Sequence, residues 1–72
     1  MYLRIFRYGI HIRQFTISSS TPSGWEVKDE QDVRVLRNHM YSDWHRVERA
    51  KLTFAIEATR LLDEGWTEST LQ

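Results

Sequence analysis

The chain contains no cysteine, so neither disulfides nor thiolate ligands can reinforce it, and the composition suits a reducing, cytoplasmic setting. It has a single proline, Pro22, and only three glycines, Gly9, Gly24 and Gly65, so conformational breaks are few and each marks a boundary. No apolar run approaches the roughly 20 residues that span a bilayer as a helix, so no membrane partner is expected. No acid precedes Glu26, although Arg4, Arg7 and Arg13 do. The remainder holds seven of the ten Lys and Arg and all ten acids, so a net charge of zero hides an uneven distribution. A general nucleic-acid or anionic-membrane binder would carry a broad basic surplus, which is absent; one local basic face remains possible.

What is present is the composition of a folding chain, with 40% hydrophobic and 28% charged residues. Seventy-two residues make one domain, read here as residues 1–66 with a polar tail over 67–72. At this size folding buries only about 60% of the surface that the open chain exposes, so the core is thin and self-association would add to it. The basic, acid-free opening has the character of an organelle targeting peptide, but it also supplies strands that so small a domain needs, and it is read as structure.

Residues 2–17 are rich in Ile, Phe, Tyr and Leu and are broken only by Gly9, which predicts two strands. In the second, Ile10 and Ile12 fall on one face and Phe15 and Ile17 on the other, a slip near Arg13 and Gln14 that a bulge would absorb. Ser18 to Gly24 reads as a loop. Trp25 with Val27, and Val33 with Val35, alternate with polar residues, which predicts a hairpin whose acidic connection runs from Asp29 to Asp32. From Trp44 the period changes: Val47, Phe54, Ala55, Ala58, Leu61 and Leu62 recur at helical spacing up to Gly65. With Trp44 they span an arc of roughly 120°, the width of a helix packed on one sheet. The fold expected is α+β, a small antiparallel sheet of three or four strands with one long C-terminal helix across one face, in β-β-β-β-α order.

Three groups of residues are candidate sites. His39, Asp43 and His45 have the chemistry of metal ligands, but on one helix His45 would lie about 200° from Asp43. Ser42 or Asp43 serves more simply as a helix N-cap. Ser42, His45 and Asp43 are also a hydrolase triad by residue type, yet within one helical turn they diverge and no glycine-rich turn offers an oxyanion hole, so no enzyme and no cofactor are expected. On the first strand, Tyr2, Arg4, Phe6 and Tyr8 share one side and with Arg13 form an aromatic and arginine face of the kind that stacks single-stranded nucleic acid. On the helix, Leu52 and Ile56 lie one turn apart outside the core arc, flanked by Arg49, Arg60 and Asp63. That stripe points to a protein partner or a homodimer, and it is the leading reading: a small non-enzymatic interaction module.

The ending Ala50, Phe54, Gly65, Trp66 resembles the close of WGR domains, but the Trp-Gly-Arg triplet that names them is missing, so the resemblance implies no residue role and no activity here.

Overall fold

The computed structural model describes residues 2–19 and 24–69. They form a five-stranded antiparallel sheet with one helix across one face, an α+β architecture. The strands are β1 (Tyr2–Tyr8), β2 (His11–Ser19), β3 (Trp25–Gln31), β4 (Arg34–Tyr41) and β5 (Thr67–Ser69), in spatial order β4-β3-β2-β1-β5. The helix α1 (Trp44–Asp63) therefore leaves one edge strand, crosses the sheet and delivers the chain to the opposite edge.

Gly9 turns β1 into β2, with Tyr8 paired to His11 and φ of 60° at Gly9 alone, as a type II′ hairpin requires. The pairing of β1 with β2 then runs without interruption from Tyr8 to Tyr2. The slip expected near Arg13 does not exist. Arg13, Phe15 and Ile17 all face inward, and Arg13 occupies a core position because Asp29 meets it there. The register shift lies instead between β3 and β4, where Asp29 pairs with Arg37 and Glu30 with Val35, leaving Leu36 as the extra residue. The acidic segment likewise differs from expectation: Asp29 to Gln31 belong to β3, and only Asp32 and Val33 turn. Asp32 holds φ of 56°, and its carboxylate accepts hydrogen bonds from the Ile12 amide at 2.9 Å and from His11 Nδ1 at 3.1 Å. Of the serine loop, Ser18 and Ser19 are strand, paired with Glu26 and Trp25, and Ser20–Ser23 lie outside the described residues.

The helix begins and ends on local signals. Asp43 is the N-cap, its carboxylate accepting from the His45 amide at 2.9 Å. At the other end Gly65 takes φ of 100°, and the Trp66 and Gly65 amides donate to Leu61 and Leu62 carbonyls, the paired bonds of a Schellman motif. Val47, Phe54, Ala58 and Leu61 enter the core and Ala50 packs against it, whereas Trp44, Ala55 and Leu62 of the expected arc are exposed. The buried arc is therefore rotated away from the expected one, toward the side of Phe54 and Leu61. Trp44 still anchors the helix start, lying 5.0 Å from Trp25, with the Lys51 ammonium over its ring at 4.8 Å.

Beneath the helix, Tyr2 stacks on Phe54, Phe54 on Phe15, and Phe15 meets Phe6 edge-on, with ring separations of 6.0, 4.6 and 5.7 Å. Ile17 and Val27 complete this core. The tail expected from Thr67 onward is strand as far as Ser69, paired with β1 opposite Arg7, Phe6 and Ile5. Thr70–Gln72 lie outside the described residues.

Candidate functional site

The three sequence candidates reach different places. His39 is on β4, opposite Val27 and stacked with Tyr41 at 5.8 Å, facing the side the helix covers. Asp43 is committed to the helix cap, and His45 is exposed as the second residue of the helix, on its outer side. Two of the residues therefore belong to one end of the helix and the third to the sheet. Among the described residues no three His, Cys, Asp or Glu side chains are placed to hold a metal ion.

The aromatic side of β1 is the one the helix covers. Phe6 is fully buried and Tyr2 is stacked under Phe54, so they cannot present a stacking platform. Arg4 sits over the Phe6 ring at 5.3 Å and donates two hydrogen bonds to Glu68 on β5, at 2.9 and 2.8 Å. That pairing holds the guanidinium pKa above its usual value and the Glu68 carboxyl below its own. Tyr8 is exposed at the end of the strand, against Trp66 at 5.6 Å.

Arg13 is engaged more deeply. With Asp29 it forms a fork of two hydrogen bonds at 2.8 and 2.9 Å, and the two residues are 6% and 1% exposed. Glu57 approaches the same guanidinium at 3.6 Å and is itself hydrogen-bonded by Arg60, which also binds Glu64 at 2.8 Å. The Glu57 carboxyl is held below its ordinary pKa, first by the Arg60 hydrogen bond and then by the charges of Arg60, Arg13 and Arg37. This network ties β2, β3 and the helix together, and every buried side-chain polar atom among the described residues has a partner. It is structural in its geometry, since its groups are occupied with one another.

The helix stripe is as the spacing places it. Leu52 is 66% exposed and Ile56 71%, and on a regular helix both lie close to diametrically opposite Phe54 and Leu61. Leu62, 46% exposed, and Ala55 widen the stripe on one side, and Arg49 borders it on the other. Arg60 is drawn toward Glu57 and Glu64.

A fourth surface was not singled out from the sequence. Between β4 and the first half of the helix two adjoining hollows form one cleft, sharing Tyr41, Ala50 and Thr53: Arg37 and His39 of the strand line one, and Arg46 and Arg49 of the helix line the other. A usable signal was present: no acid occurs between Asp32 and Asp43. It went unread because the cationic character belongs jointly to two elements that meet only in the fold.

Comparison of the chain with protein-family models, with curated proteins and with solved structures finds no match, so the surfaces themselves carry the functional reading.

Proposed function

We propose that this protein is a non-enzymatic interaction module that self-associates through the outer stripe of its helix. The observation that carries the reading is the exposure of Leu52 and Ile56 on the helix face turned away from the core. Scattered exposed aliphatics are ordinary, but two one turn apart on a solvent face form a seam. That seam is complementary to itself. Two helices packed antiparallel about a point midway between these residues set Leu52 of each copy against Ile56 of the other. The same register brings His45 opposite Asp63 and Arg49 opposite Thr59, so polar residues meet on either side of the Leu52 and Ile56 pairs. The helix is about 30 Å long, enough to carry such a seam over several turns. A domain with eight buried hydrophobic residues among those described gains proportionally from a second apolar surface.

Sedimentation equilibrium across a concentration series tests the reading. The wild-type chain is expected to approach twice its monomer mass as concentration rises. Leu52→Glu removes an aliphatic from the seam in both copies at about 1 kcal/mol each, weakening association roughly thirtyfold. A wild-type chain that remains monomeric throughout the series, or a Leu52→Glu variant that associates as well as wild type, overturns it.

A further inference from the structure

Among the described residues, strand β4 has a neighbour on one side only. It pairs with β3 along its length and ends the sheet, so an eight-residue strand presents the backbone of one edge to its surroundings. Residues Arg34 to Met40 are all exposed. Edge strands are commonly shielded by bulges or charge, and both devices are here, with Leu36 bulged and Arg34 and Arg37 along the strand. Neither covers the edge entirely: beyond the bulge, Arg37 to Tyr41 pair regularly with β3 and form a straight segment of five residues.

The chemistry beside that segment is one-sided. Arg37 and His39 face the helix from β4, and Arg46 and Arg49 face the strand from the helix, around the cleft that Tyr41 and Thr53 also line. Asp29 reaches the same cleft but is buried and fully taken up by Arg13, and Glu57 is held by Arg60. The cleft is left with a surplus of positive charge. On the other face of the strand are Asn38 and Met40, with Met40 58% exposed. A second copy of β4 is a poor occupant, because its sequence has two arginines and no acid and would add positive charge to a face that already has a surplus. An acidic strand is a good one.

We propose that the β4 edge receives an extended acidic peptide segment of a partner protein as a sixth strand. Its backbone hydrogen-bonds along Arg37 to Tyr41. In such a strand alternate side chains point to opposite faces, so acidic residues at every second position enter the cleft toward Arg37, Arg46 and Arg49. The residues between them are aliphatic and lie along Met40. The partner motif is thus an alternation of acidic and aliphatic residues, and the docking surface meets the helix stripe only at Arg49.

The test uses the full chain and a fluorescent peptide of alternating Glu and Val, with three comparison probes: the same peptide with Lys for Glu, a pair of versions N-methylated at alternate backbone nitrogens in either register, and oligothymidylate. Binding is followed by anisotropy at low and high salt, and the contacted residues by amide chemical shifts. The expected result is salt-sensitive binding of the Glu peptide with shifts concentrated on Arg34 to Tyr41, and no binding of the Lys peptide. At least one N-methylated register is expected to bind about tenfold or more weakly, since it keeps the charge and removes strand pairing. Arg37→Gln and Arg49→Gln, both surface changes, are each expected to weaken binding severalfold with an unchanged circular dichroism spectrum, and Leu52→Glu is expected to bind like wild type. Failure of the Glu peptide to bind, undiminished binding of both N-methylated versions, or equally tight binding of oligothymidylate overturns the proposal, the last two by reducing the surface to a general anion patch. Shifts confined to the helix stripe overturn it as well.

Discussion

Replacing Asp29 by leucine leaves the Arg13 guanidinium inside the protein without its principal partner. Both hydrogen bonds of the fork vanish, and Arg13 is only 6% exposed, so water cannot take their place without opening the sheet. Breaking a buried pair in this way costs about 3–5 kcal/mol. The lower end applies here, because Glu57 remains 3.6 Å from the guanidinium and can approach it. A domain of 72 residues has a total stability of about 4–11 kcal/mol, so a loss of about 3 kcal/mol is a large share of it. At a slope near 1 kcal/mol per molar urea for so small a domain, the unfolding midpoint should fall by about 3 M. The companion variant carries Asp29→Leu together with Arg13→Met. With no charge left to strand, it should recover most of the loss and lie within about 1 kcal/mol of wild type. Urea unfolding of wild type, Asp29→Leu and the double variant, followed by tryptophan fluorescence, measures all three. A single variant that costs less than about 1 kcal/mol, or a double variant no more stable than the single, refutes the reasoning that Arg13 depends on Asp29 for its place in the core.

Two further outcomes follow from the backbone and the carboxylates. Gly24 holds φ of 125°, and a Cβ there would come within 2.8 Å of the Tyr41 carbonyl oxygen, whereas a Cβ on Gly9 meets nothing within 4 Å. Thermal unfolding should therefore rank Gly24→Ala below Gly9→Ala, with about 1–3 kcal/mol lost at Gly24, and the reverse order would count against the close approach. Glu57, Glu68 and Asp32 titrate below their ordinary values of 4.5, 4.5 and 3.8 in the folded chain, chiefly through hydrogen bonds from Arg60, from Arg4 and from the Ile12 amide. The unfolded chain binds protons first as pH falls through that range, so stability present above about pH 5 declines progressively toward pH 2. Urea midpoints measured from pH 2 to 7 should show this slope, and Glu57→Gln should make it shallower; a flat profile would refute it.

Much of the molecule was legible in the sequence because it rests on interactions between near neighbours. Asp43 caps the helix by accepting from an amide two residues on, Gly65 ends it by adopting a conformation that side chains resist, and Arg60 pairs with residues three and four positions away. The spacing of Leu52 and Ile56 against Phe54 and Leu61 fixed which helix face turns outward for the same reason. Gly9 marked the first hairpin. Which side of β1 is buried could not be read from β1, since Leu3 and Ile5 compete with Tyr2 and Phe6 on equal terms.

That choice depends on the helix ring of Phe54 and on Glu68, which lies 64 residues from the arginine it holds. Arg13 misled the alternation because a charged residue signals an outward position, and only Asp29, sixteen residues on and in the next strand, makes an inward one tenable. The three residues of β5 are too few and too polar to announce a strand, and they become one because the helix returns them beside an unpaired edge of β1. The cationic cleft has the same origin: Arg37 and Arg49 belong to elements with different periods, and only the fold brings them to adjoining hollows between β4 and the helix. Local chemistry determined where elements begin and end, while pairing between distant residues decided which faces they bury and which they offer.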